Sequence, residues 1–109
     1  MIEIHHYVNR AGKDVFDDWL SQLADARTQA KIASRIDRLA AGNFGDCKRL
    51  RQGLCELRID WGPGYRVYYA RLGRICVLLL CGGEKRKQRS DIDRALEYLQ
   101  DYEERSETS

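Results

Sequence analysis

The sequence predicts an α+β domain in which a mostly antiparallel sheet carries a helical hairpin on one side and a further helix at the C-terminal end. Three observations predict it. Alternation of period two marks the N-terminus and the stretch from Leu54 to Tyr69, two helical stripes lie between them, and a final helical stripe follows a short, continuously apolar run. The expected order is β-α-α-β-β-β-α.

Each element has a local reason. Ile2, Ile4, His6 and Val8 alternate with Glu3, His5 and Tyr7, the pattern of a strand with one face on the core. Gly12 interrupts it, and Val15, Phe16, Trp19, Leu20 and Leu23 then recur at helical spacing behind Asp14, Asp17 and Asp18, which favour a helix N-terminus. This predicts a helix over roughly Lys13 to Ala24. Asp25 is suited to cap a second helix, whose stripe is Ile32, Ala33, Ile36, Leu39 and Ala40, opposed by Lys31, Arg35 and Arg38 and closed by Gly42 and Asn43. With almost no linker between them, the two helices should fold back on each other.

From Leu54 the register itself is predicted. If paired positions sum to 124, Cys55, Leu57 and Ile59 face Tyr69, Val67 and Tyr65, while Glu56 faces Tyr68 and Arg58 faces Arg66. A slip of one residue would mix the apolar set with the charged one. The turn Trp61-Gly62-Pro63-Gly64 joins these strands, with Trp61 pinning it. Ile75 to Cys81 reads as a central strand covered on both faces. Ser90 is the expected N-cap of the last helix, with Ile92, Ala95, Leu96, Leu99 and Tyr102 as its stripe and residues 103–109 as a frayed tail.

A chain of 109 residues, 43% of them hydrophobic, is read as one domain over residues 1–109 with one modest core. Its net charge of +2 is unevenly spread: residues 46–89 hold eleven Lys and Arg against four Asp and Glu, and residues 90–109 hold two against seven. The middle attracts a polyanion and the end repels one. Cys47, Cys55, Cys76 and Cys81 form no CxxC pair, and no secretory signal or membrane-length apolar run is present, so reduced thiols in a cytoplasmic protein are expected.

Most catalytic chemistry lacks its residues. His5 and His6 are adjacent on a strand and point to opposite faces, cysteine and histidine spacing suggests no metal, no cofactor fingerprint occurs, and Gly82-Gly83 is no more than a turn signal. Arg, Lys and Tyr remain. They suit cleavage of RNA through its own 2′-hydroxyl, where the protein orients the substrate, neutralises the phosphate and assists proton transfer. Arg58 and Arg66 are the candidate phosphate ligands, because a guanidinium binds two oxygens and stays charged. Lys87 and Arg89 are further catalytic candidates. Glu56 is the conventional candidate base, and the crowded lysines of Lys85-Arg86-Lys87-Gln88-Arg89 are the other. Lys48, Arg49, Arg51, Lys85 and Arg86 are candidate RNA-binding residues, with Tyr68 as a stacking platform; cross-strand packing is the alternative for Tyr65, Tyr68 and Tyr69.

Three segments taken in order, Gly53-Leu54-Cys55-Glu56-Leu57-Arg58, Gly64-Tyr65-Arg66-Val67-Tyr68-Tyr69 and Gly83-Glu84-Lys85-Arg86-Lys87-Gln88-Arg89-Ser90-Asp91-Ile92, resemble the RelE/ParE superfamily of bacterial type II toxins. More narrowly they resemble its phage-derived, Gp49-like addiction module killer protein branch. The resemblance implies a metal-independent endoribonuclease that cuts messenger RNA on the ribosome, needs no cofactor, and is neutralised by a cognate antitoxin, a small helix-turn-helix protein encoded nearby. It implies phosphate binding or proton transfer for Arg58, transition-state stabilisation for Arg66, and basic support from Lys87 and Arg89. Glu56 stands where RelE-like toxins have a lysine, and Asp93 where they can place a tyrosine. The same superfamily includes non-enzymatic inhibitors of DNA gyrase, and fold alone does not choose between them.

Overall fold

The computed structural model describes residues 1–108. Its elements are β1 (Glu3–His6), α1 (Val15–Gln22), α2 (Ala26–Ala40), β2 (Cys47–Arg49), β3 (Leu54–Ile59), β4 (Tyr65–Arg71), β5 (Cys76–Glu84), a 3₁₀ turn (Lys85–Lys87) and α3 (Gln88–Thr108). Five strands form one sheet in the order β1-β5-β4-β3-β2, antiparallel except where β1 runs parallel to β5. The α+β class and the mostly antiparallel sheet are as expected.

The β3–β4 register is the one that charge segregation requires. Cys55 pairs with Tyr69, Leu57 with Val67, Ile59 with Tyr65, Glu56 with Tyr68 and Arg58 with Arg66. Each parity set buries a different face. Cys55, Leu57, Ile59, Val67, Tyr69, Val77 and Leu79 pack with Phe16, Ile32 and Leu39 of the helical hairpin. Leu54, Tyr68, Ala70, Leu78 and Leu80 pack with Ala95 and Leu99 of α3 on the opposite face. The chain therefore has two apolar clusters separated by the sheet, where one core was expected, because α3 covers the face that the hairpin leaves open.

Caps explain the hairpin. Asp14 and Asp25 accept from the backbone N–H groups of Asp17 and Arg27, each worth about 1 kcal/mol. Gly42, at φ 94°, closes α2 as its N–H donates to Leu39 and that of Asn43 to Arg38, a Schellman arrangement. Two stripe positions differ from expectation. Ala33 faces solvent, and Arg35 turns inward to donate to the carbonyls of Arg58 and Phe44, at 2.8 and 3.1 Å. Burial lowers the Arg35 pKa from its usual value. Trp61 does pin the β3–β4 turn: its indole N–H donates to Thr28 Oγ1 at 3.1 Å, and Lys31 Nζ lies 4.8 Å from the ring centroid.

Five further expectations are corrected. Residues 47–49, unassigned from sequence, form β2, joined to β3 by a tight turn in which both Gln52 (φ 57°) and Gly53 (φ 84°) are left-handed and Leu54 N–H donates to Arg51 O. The last helix begins before Ser90, whose hydroxyl sits inside it and donates to Lys87 O. At the other end, residues 103–108 stay helical and only Ser109 lies outside the described residues. Tyr7, expected on the face away from the core, is buried beneath this helix, stacked on Tyr98 at 4.9 Å with its hydroxyl donating to Asp101 at 2.6 Å. Burial, and then that bond, push the phenol up to about 12. Gly82-Gly83 lies within β5 and is not a turn. A Cβ on Gly82 would collide with the Trp19 ring, and one on Gly83 with the Asp91 carboxylate.

Candidate functional site

The sheet face under α3 is not covered along its whole length. Beyond the start of the helix, the ends of β3 and β4 present Arg58 opposite Arg66, with Glu56 one alternation further in. Like charges directly opposite across a strand pair normally repel. Here Glu56, fully buried, lies between them: its Oε2 accepts from Arg58 Nε at 3.2 Å, and its Oε1 lies 3.4 Å from Arg66 Nε. Gln88, in the first turn of α3, donates through Nε2 to the same Oε1. One buried carboxylate thus holds two guanidiniums and the helix start in a single cluster.

The two arginines differ in exposure. The Arg58 side chain is 35% exposed and that of Arg66 only 11%. The backbone around Arg58 is fixed from two sides, since its carbonyl accepts from Arg35 and its N–H donates to Asp46 O at 2.9 Å. Arg66 Nη1 donates to Tyr65 O at 3.0 Å, and its buried Nε–H has no well-aligned hydrogen-bond acceptor among the described residues, the Glu56 contact being ionic.

A groove of about 430 Å³ opens beside this cluster, lined by Arg58, Arg66 and Lys85 and by Asp46 and Asp60 on its acidic rim. Lys48 pairs with Glu56 across β2 and shares its face. Glu56 is not placed as a base: it is 0% exposed, and both oxygens are engaged. The accessible carboxylates are Asp46 and Asp60. Sequence reasoning passed over Asp46 because it precedes the unassigned β2; its Oδ1 lies 4.0 Å from Arg58 Nη1.

The other candidates disperse. Arg51, paired with Asp93 at 3.2 Å, and Arg89 line a separate hollow of about 490 Å³ that shares Gln88. Lys87 lines a third hollow with Trp19, Asp91 and Arg94. Arg86 pairs with Glu84 at the surface. Arg49 pairs with Cys55 and so belongs to the opposite face of the sheet. Tyr68 is no stacking platform: it is fully buried, α3 covers its ring, and burial with Glu56 and Asp91 nearby raises its pKa. Asp93 is exposed and paired with Arg51.

No helix among the described residues is long and apolar enough to cross a membrane. Residues 18–101 match the family model of the phage-derived protein Gp49-like, a span that holds Asp46, Glu56, Arg58, Arg66, Lys85 and Gln88. An uncharacterized protein of Haemophilus influenzae is 54% identical over 80 residues, which cover 73% of this chain and 81% of that protein. With the family model spanning most of the chain and this relative so similar, the chain belongs to the phage-derived Gp49-like protein family.

Proposed function

We propose that this protein is the toxin of a type II toxin–antitoxin pair, a metal-independent endoribonuclease that cuts messenger RNA on the ribosome and so stops translation. The observation that carries the reading is the pair Arg58 and Arg66, directly opposite each other and clamped by one buried carboxylate at the edge of an open groove. Two guanidiniums with one carboxylate leave a net positive cluster, and a guanidinium can bind two phosphate oxygens at once. The resemblance to RelE/ParE toxins in the three segments around these residues supports the same reading.

In the proposed reaction the ribose 2′-oxygen attacks the adjacent phosphorus as the bond to the 5′-oxygen breaks, giving a 2′,3′-cyclic phosphate and a 5′-hydroxyl. Arg58 and Arg66 neutralise the charge that grows on the phosphate oxygens. Asp46, an exposed carboxylate beside Arg58, takes the 2′-hydroxyl proton, and the Lys85 ammonium in the same groove supplies one to the leaving oxygen. A cognate helix-turn-helix antitoxin would neutralise the protein by covering the groove.

One observation favours a second reading, a non-enzymatic inhibitor of a protein target such as DNA gyrase: the carboxylate nearest both arginines is buried and committed to them. Induced expression separates the two. The nuclease reading expects growth arrest with messenger RNA cut at discrete sites and normal supercoiling by purified gyrase. Growth arrest with intact messenger RNA overturns it, and inhibited supercoiling then supports the second.

A further inference from the structure

At the far end of β5 from the arginine cluster, the edge strand β1 brings together three side chains that sequence spacing does not connect. Glu3 is the register partner of Cys76 across the parallel β1–β5 pair, and His5 follows Glu3 on the same face of β1. A carboxylate oxygen of Glu3, a ring nitrogen of His5 and the Cys76 sulfur all lie within 4.8 Å of one another, with His5 Nε2 4.0 Å from Glu3 Oε2. We propose that Glu3, His5 and Cys76 form a zinc site that clips the edge strand to the sheet.

The donor set selects the metal. Thiolate, imidazole and carboxylate are the usual zinc ligands, whereas calcium and magnesium require shells of oxygen. Bond lengths of about 2.0–2.3 Å in a tetrahedral site place the ligand atoms roughly 3.3–3.7 Å apart. Glu3 and His5 are both exposed and can close from 4.0 Å by small side-chain rotations. Cys76 is a free, half-buried thiol. Because β1 is the outermost strand, the fourth position opens to solvent and takes water.

The site also answers a weakness of the fold. β1 is four residues long and, like β2 at the opposite edge, pairs with only one strand, so it is weakly supported within the sheet. A metal bound to the folded chain and not to the unfolded one stabilises it by RT ln(1 + c/Kd), where c is the free metal concentration. The site lies seven residues along β5 from Gly83, the partner of Arg66. At about 3.3 Å per residue this is on the order of 20 Å. The inference is therefore independent of the proposed nuclease chemistry.

The test is cobalt titration of the untagged, reduced, full-length protein, followed by absorption spectroscopy and displacement with zinc. The expected result is a thiolate-to-cobalt charge-transfer band that saturates at one equivalent and is bleached by zinc. Cys76→Ser should abolish the band, and Cys47→Ser, which removes the exposed thiol elsewhere, should leave it intact. His5→Ala should weaken binding by at least the roughly 10–100-fold that loss of an outer-shell partner costs. Thermal unfolding of the wild type should shift upward with zinc, and that of Cys76→Ser should not. Absence of the band, or its survival in Cys76→Ser, overturns the proposal.

Discussion

Replacing Glu56 with Gln keeps the size of the side chain and removes its charge, leaving Arg58 and Arg66 opposed across the strand pair with no counter-ion between them. Glu56 is fully buried and the Arg66 side chain is 11% exposed, so that contact falls in the class where losing one partner of a buried ion pair costs about 3–5 kcal/mol. Arg58, about one-third exposed, keeps water, and its contact with Glu56 is nearer to a surface pair, worth no more than about 1 kcal/mol. The retained amide oxygen still accepts a hydrogen bond, which brings the expected loss to about 3 kcal/mol. That is a large share of the roughly 5–15 kcal/mol that holds a domain together. Urea denaturation should show the midpoint falling by about 1.5 M at an unchanged slope of about 2 kcal/mol/M. The thermal midpoint should drop by roughly 12 °C. Since Arg66→Gln removes the same repulsion, the double variant should lose less than the two single losses combined, by roughly 1–3 kcal/mol. A loss below about 1 kcal/mol in Glu56→Gln, or strict additivity, would refute the clamp: water and not Glu56 would then be keeping the guanidiniums apart.

Two further predictions concern carboxylates. Asp46→Asn should lower RNA cleavage by about 10²–10⁴-fold while leaving RNA affinity near that of the wild type, as loss of a general base does; an unchanged cleavage rate removes Asp46 from the reaction. Burial raises the Asp91 carboxyl above its ordinary value, with Arg94 and Lys87 pulling less strongly the other way. The folded chain therefore holds this proton more tightly than the unfolded one. The stability so gained is full below the unfolded-state value of about 3.9 and is lost as pH rises through the folded-state value. Asp91→Asn does not titrate, so its stability relative to the wild type should climb with pH across that interval, read by denaturation at a series of pH values. A difference flat in pH would contradict the raised carboxyl.

What the sequence made legible was parity. Alternation separates Cys55, Leu57 and Ile59 from Glu56 and Arg58, and only one register keeps the sets apart, so the opposition of Arg58 and Arg66 follows from residue types alone. Asp25 as a cap was legible for the same local reason. Alternation does not say what covers each face. Tyr68 and Glu56 share parity with Arg58, but α3 lies over the first two and stops short of the third, which turns a stacking platform into core and a base into a clamp. The start of α3 was hidden because the basic run reads as a loop, whereas it forms a 3₁₀ turn leading directly into the helix and sets Gln88 on Glu56. The strand β2 was hidden because three residues are too few to show a period and its turn places Gln52 at a positive φ. Asp46 was lost with it. Spatial neighbours such as Glu3 and Cys76 have no sequence signature, because a parallel pairing between distant strands joins them.

The most direct measurement is an end-mapped cleavage assay on programmed ribosomes, comparing the wild type with Arg66→Ala after circular dichroism has matched their folds. The expected result is messenger RNA cut at discrete positions by the wild type, leaving 2′,3′-cyclic phosphate and 5′-hydroxyl ends, and left whole by Arg66→Ala. Intact messenger RNA with the wild type, or equal cutting by both proteins, would contradict the role given to the clamped arginine pair.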